Sequence, residues 1–273
     1  VCINKKTMKI KPIDLIPAVK YYSFDWDDNL MYMPTKIYLL NDKGNKVGMT
    51  TKDFAEFRDM VGKKLFNYNG HTIVGPAKDA YIEFGVNYDD QFLIDVMVSP
   101  TGPVWDDFVE AINNGSIFSI ITARGHTPSA IKQGIYKLIK SNKNGIDSNK
   151  LVKNLLKYKD LADEDILSKD KLIKSYLDLC RFHTVSFGMS SETNPEPGKI
   201  KAMEEFIKYV KEISIQLQKK ALIKNKINNY IKPFIGFSDD DVKNVASMKD
   251  YFKDKEDNIL QTYLTSRGIK TKY

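Results

Sequence analysis

The sequence predicts an α/β fold, a parallel sheet packed between helices, with an α+β sub-domain inserted after the first strand. Short apolar runs alternate with longer amphipathic stretches along the chain, as in folds built from strand–helix–strand units. The segment Ser116–Thr122 (SIFSIIT) is apolar almost throughout, as expected of a parallel strand buried on both faces. Three strand ends run directly into acids or other polar groups, and the carboxyl ends of strands are where open parallel sheets bind ligands.

The elements follow in order. Tyr21–Phe24 reads as a buried strand ending in acids. Lys36–Leu40 and Lys46–Met49 read as two strands joined by the turn Asn41–Asn45. A short helix, Asp53–Val61, follows, capped by Thr50 or Thr51. Residues 62–100 mix Gly, Asn, aromatics and short apolar runs, and no order emerges from them. Val104–Asn113 is an amphipathic helix closed by Asn114-Gly115, and Thr127-Pro128 opens another that runs to about Lys140. Residues 141–180 are rich in Lys, Asn and Leu, and their spacing implies two helices and a loop. Thr184–Gly188 reads as a strand, and Met189–Gly198 as a polar loop. Lys199 to about Gln218 forms a long helix, continuing in broken form toward Tyr230. Phe234–Phe237 is a last strand, running into Ser238-Asp239-Asp240-Asp241. This order gives a Rossmann-like core over 1–30 and 104–273, with a helical insert at about 141–180 and an inserted sub-domain at 31–103.

Composition narrows the class. The 273 residues are 42% apolar and carry a net charge of +7, so the chain can bury a core and suits an anionic partner: a phosphorylated small molecule, a nucleotide or a nucleic acid. Solvated lysine-rich helices give the same composition; Lys199–Lys232 holds nine lysines and three glutamates. No apolar run approaches the ~20 residues needed to cross a bilayer, and Val1–Ile10 lacks the apolar stretch of a signal peptide. The expectation is a cytoplasmic protein with no membrane partner. Cys2 and Cys180 cannot form a disulfide framework, and Cys180 lies in an apolar run that reads as core. The abundance of Lys and Asn suits a phage or low-GC bacterial source.

The chemistry gathers at the strand ends. Asp25-Trp26-Asp27-Asp28-Asn29, Thr122-Ala123-Arg124 and Asp239-Asp240-Asp241 would share one rim of the sheet. Two acidic clusters at one rim repel unless a cation sits between them, and oxygen ligands without His or Cys select a hard ion such as Mg²⁺. A metal held by carboxylates is a docking point for a phosphoryl group. Asp25-x-Asp27-x-Asn29 also begins a calcium loop, but that loop needs Gly at its sixth position and Glu at its twelfth, where this chain has Leu30 and Lys36. Arg124 and His126 stand where they can contact substrate.

These motifs resemble those of the haloacid dehalogenase superfamily of phosphatases and phosphotransferases. Tyr22–Leu30 resembles its first motif, Ile120-Ile121-Thr122 its second, Lys199 at a helix start its third, and Asp239-Asp240 after an apolar strand its fourth. The four occur in the family's order and span most of the chain. The resemblance implies a haloacid dehalogenase-like core in which residues 31–103 form a cap. It implies hydrolysis of a phosphomonoester with Mg²⁺, through an aspartyl-phosphate on Asp25. Asp27 would serve as general acid and base, its protonation favoured by neighbouring like charges. Asp25, Asp239, the Asp27 carbonyl and nearby Asp240 would hold the metal, and Thr122, Lys199, Asn29 and Arg124 would bind phosphate. Asn29 stands where the family usually has Thr. Two alternatives share the scaffold: a phosphotransferase, and a nucleic-acid-binding or assembly protein with little or no activity.

Overall fold

The computed structural model describes residues 19–155, 168–188, 195–225, 230–255, 259–266 and 268–273. Its larger sheet contains β1 (Lys20–Phe24), β6 (Phe118–Thr122), β7 (Arg181–Thr184), β8 (Phe234–Asp239), β9 (Leu260–Ser266) and β10 (Ile269–Lys272). They lie in the order β10-β9-β8-β1-β6-β7. All neighbours are parallel except the edge pair β9–β10. The order reverses direction at β1, whose two neighbours are the next core strand, β6, and the much later β8. In a mixed α/β fold of this kind, that reversal opens a crevice at the carboxyl ends of the strands.

The apolar runs explain why these strands are central. Along β1 and β6, Tyr22, Phe24, Phe118 and Ile120 face one side of the sheet, while Tyr21 and Ile121 face the other. Side chains in a strand alternate between faces, so a strand covered on both sides must be apolar at every step. The exceptions, Ser23 and Ser119, are buried and satisfy each other through a 2.8 Å hydrogen bond. One face is covered by α2 (Asp89–Val98), α3 (Trp105–Asn114), α4 (Pro128–Lys140), α5 (Ser148–Leu155) and α6 (Lys169–Leu179). The other is covered by α7 (Pro195–Asn225) and α8 (Val242–Phe252). Phe108 of α3 meets Phe24 and Phe118 edge-on; truncating such a core aromatic to Ala costs about 3–5 kcal/mol.

A second, antiparallel sheet has the order β3-β2-β5-β4, from β2 (Lys36–Asn41), β3 (Lys46–Thr50), β4 (Phe66–Tyr68) and β5 (His71–Pro76). The helix α1 (Thr51–Phe57) follows β3, its first turn capped by the Thr50 hydroxyl, which accepts from the Asp53 amide. Ile37, Leu39, Met49, Tyr68 and Ile73 form the unit's own small core. Its attachments to the larger body include two edges. On one side the Gly125 amide donates to the Phe84 carbonyl at 2.9 Å. On the other, Arg58 pairs with Asp241 at 2.7 Å and Glu196 at 3.3 Å, and Lys243 pairs with Asp59 at 2.7 Å.

Several sequence expectations change. The inserted segment 31–103 is not one unit, because α2 belongs to the main core: Phe92, Leu93 and Val96 pack with Trp26 and Ile131. The insert at 141–180 likewise packs onto that core through Leu151, Ile173 and Tyr176; its expected loop falls largely in 156–167, outside the described residues. The strand expected at Thr184–Gly188 is Arg181–Thr184, which pairs in parallel register with Ser119–Thr122, while residues 185–188 turn away and expose Phe187. The long helix starts at Pro195 rather than Lys199. The final hairpin β9–β10 was not anticipated. No helix among the described residues is long and apolar enough to cross a membrane.

Candidate functional site

Strand β1 ends at Phe24, and the next residues turn sharply. The Leu30 and Met31 amides both donate to the Trp26 carbonyl, and the Asp28 amide donates to the Met31 carbonyl. Asp28 adopts φ 54°, a left-handed conformation that Asp tolerates better than most residues. Gly102 packs against this turn: a Cβ there would lie 2.3 Å from the Asn29 carbonyl oxygen, so only glycine allows the approach.

Three carboxylates meet at the crevice. Asp25 follows β1, Asp239 ends β8 and Asp240 follows it; their oxygens lie within 4.8 Å of one another. Lys199, in the first turns of α7, is buried and donates to Asp25 Oδ1 at 2.8 Å and to Asp239 Oδ2 at 2.7 Å. Asp239 also accepts from the Asn244 side chain at 3.0 and 3.1 Å and from the Asp241 amide at 2.9 Å. One ammonium therefore faces three carboxylates. Burial, then the charge of Asp239, push Asp25 up to about 8 despite Lys199. Burial and the charges of Asp239 and Asp25 hold Asp240 well above the usual carboxylate range. Burial would pull Lys199 down, but the charges of Asp239 and Asp25 outweigh it and hold the ammonium well above its ordinary value. Excess negative charge on an all-oxygen donor set fits a hard divalent cation.

Asp27 lies apart from this cluster. Both its oxygens accept from Arg124, Nε at 2.8 Å and Nη2 at 2.6 Å. Arg124 is 1% exposed, lies against the rings of Phe84 and Phe92, and also donates to the Thr35 hydroxyl at 2.9 Å and to His126 Nε2 at 3.0 Å. A guanidinium can only donate, so His126 Nε2 accepts and its Nδ1 carries the proton toward Asp89 Oδ1, 3.0 Å away. Burial, then the Arg124 charge, push His126 down to about 4, so the ring is neutral near pH 7. Next to the Asp27–Arg124 pair, burial lifts Asp28 to about 6, against a hydrogen bond from Thr51 of α1.

The structure thus brings together Asp25, Asp239, Asp240 and Lys199, four of the residues named from sequence. Thr122 is buried at the end of the adjacent β6, and its hydroxyl accepts from the Arg124 amide at 3.3 Å. Two phosphate-binding expectations are corrected. Arg124 commits its guanidinium to Asp27, Thr35 and His126. Asn29 is fully buried: its amide nitrogen donates to the Asp25 carbonyl at 3.0 Å and to the Ser238 carbonyl at 3.1 Å, while its oxygen accepts from Thr265 at 2.8 Å. It ties β1 to β8 and β9. Asp25 and Asp28 do lie near Asp27, as expected, but both Asp27 oxygens are taken by Arg124. Sequence reasoning missed Asn244, whose only signal is its place in the first turn of the helix after the acidic pair. It also missed Thr35 and Asp89, which carry no signal. No family model matches the chain, and no curated protein or solved structure matches it significantly.

Proposed function

We propose that this chain is a Mg²⁺-dependent phosphohydrolase of the haloacid dehalogenase type, with the antiparallel unit as its cap, and that it cleaves a phosphomonoester through an aspartyl-phosphate on Asp25. The observation that carries this reading is Lys199, buried and shared between Asp25 and Asp239 across the crevice beside β1. Asp25, Asp239 and Asp240 would hold the metal, which supplies positive charge to neutralise phosphoryl oxygens.

The remaining roles belong to the chain's own residues. Lys199 fixes Asp25 through Oδ1, leaving Oδ2 to form the bond to phosphorus while the bond to the leaving oxygen breaks. Thr122, at the end of the neighbouring strand, would hydrogen-bond a phosphoryl oxygen. Asp27 would take up a proton from solvent as substrate binds, deliver it to the leaving oxygen, and then take one from the water that hydrolyses the aspartyl-phosphate. For either step its carboxyl must turn off at least one Arg124 nitrogen. Arg124 is therefore a positioning residue for Asp27, itself held by Thr35 and His126.

Phosphate release from p-nitrophenyl phosphate and a panel of phosphomonoesters, with Mg²⁺ and after chelation, tests the reading. Release that requires both the metal and Asp25 supports it. Full activity of Asp25→Asn, or no release from any substrate, sinks it and favours the scaffold that binds without catalysis.

A further inference from the structure

Arg124 has a second face. With Thr35, Glu83, Tyr88, Asp95 and His126 it bounds a cleft of about 380 Å³ between the cap and α2. Arg124 and Thr35 connect this cleft to the phosphoryl site, because Arg124 bonds Asp27 and Thr35 at once. A leaving group protonated by Asp27 would lie one side chain, that of Arg124, away from this cleft. The volume is near the low end of the ~300–1,000 Å³ common for small-molecule sites. It accepts a group of monosaccharide size.

The charge of the cleft is selective. Its one cation, Arg124, is already paired with Asp27, and His126 is neutral. Glu83 and Asp95 remain. Glu83 accepts from the Lys36 amide at 2.8 Å and from the Tyr38 hydroxyl, and Asp95 accepts from Gln91 at 2.8 Å. Carboxylate oxygens have about four acceptor sites between them, so both can take further donors. A second phosphate or carboxylate would meet these two acids, and the one lining cation is already held by Asp27.

Resting on the phosphohydrolase reading, we propose that this cleft holds the leaving group, and that the substrate is a small phosphomonoester whose leaving group is rich in hydrogen-bond donors and neutral or cationic. A polyol or amino sugar fits; a nucleoside polyphosphate or an oligonucleotide end does not. The test uses three phosphates of one size: glucosamine 6-phosphate, glucose 6-phosphate and 6-phosphogluconate. Binding to the Asp25→Asn protein is measured by calorimetry with Mg²⁺, and phosphate release by the wild type in parallel. The expected order is ammonium, then hydroxyl, then carboxylate, with about tenfold or more between the first and last. Asp95→Lys, and independently Gln91→Lys at an exposed position on the same helix, should narrow or reverse it. Equal binding, preference for the carboxylate, no binding at all, or variants that leave the ratio unchanged overturn the proposal. Ordered binding without phosphate release overturns the phosphohydrolase reading and leaves the cleft's selectivity standing. Release without that order does the opposite.

Discussion

Lys199 faces Asp25, Asp239 and Asp240, whereas Arg124 holds Asp27 alone among the acids and turns its other donors to Thr35 and a neutral His126. Both clusters are buried at the same rim, yet only the first is short of positive charge. Taking charges out of water is costly, and a matched, fully hydrogen-bonded pair recovers most of that cost. The Arg124 cluster is matched and reads as support. The Lys199 cluster is unmatched in the direction that a divalent cation and an incoming phosphate would use, and that imbalance is the ground for proposing it as the place of chemistry.

The contrast can be broken by substitution. Asp25→Asn should lower turnover by on the order of 10³-fold or more, as expected for loss of a nucleophile, while leaving the chain folded, because it removes charge from the crowded cluster. Steady-state kinetics with a thermal melt would show this, and retained turnover would remove Asp25 from its role. Lys199→Met strands two buried carboxylates and should cost about 3–5 kcal/mol of stability, read from denaturant midpoints; a neutral result would mean the cluster is already neutralised by protons. Arg124→Lys keeps the charge but loses the bidentate fork. It should lower kcat more than it raises KM and shift the pH profile of kcat, since Asp27 would lose its alignment.

Asn29→Thr introduces the residue usual in the haloacid dehalogenase motif that this segment resembles, yet it removes the amide that joins β1 to β8. It should cost about 1–3 kcal/mol, the penalty for leaving buried groups unsatisfied. A separate test uses pH. Asp25 is raised to about 8 from an ordinary 3.8, and a carboxyl raised in the folded state contributes stability that is full below pH 3.8 and lost as pH rises toward 8. The metal-free protein should therefore melt lower at pH 8 than at pH 5, and Mg²⁺ should stabilise it more at pH 8. A flat profile would place the charge imbalance elsewhere.

Much of the Lys199 cluster was legible in the sequence because its signals are local. Asp25 and Asp239 each follow an apolar strand, and Lys199 begins the amphipathic pattern of a helix. The sheet was legible for the same reason wherever strands are buried on both faces. What stayed hidden depends on partners far apart. Asn29 meets Ser238 and Thr265 across separations of 209 and 236 residues, so its spacing in the first motif suggested a ligand where the structure has a clasp. Asp27 and Arg124 were both singled out, but their separation of 97 residues concealed that they bind each other. Asp89 lies in a stretch without clear periodicity, and α2 joins the main core through a long-range contact, Phe92 against Trp26, that no local pattern announces.

These two edges of the antiparallel unit differ in what can loosen them. The Gly125–Phe84 side is a backbone hydrogen bond and is indifferent to dissolved ions. The Arg58 and Lys243 side consists of partly exposed ion pairs, and salt weakens such pairs, with a Debye length of only about 8 Å at physiological ionic strength. Ionic strength is thus a one-sided lever: raising it weakens this edge, most of all at the exposed Lys243–Asp59 pair, and leaves the Gly125 edge as it was.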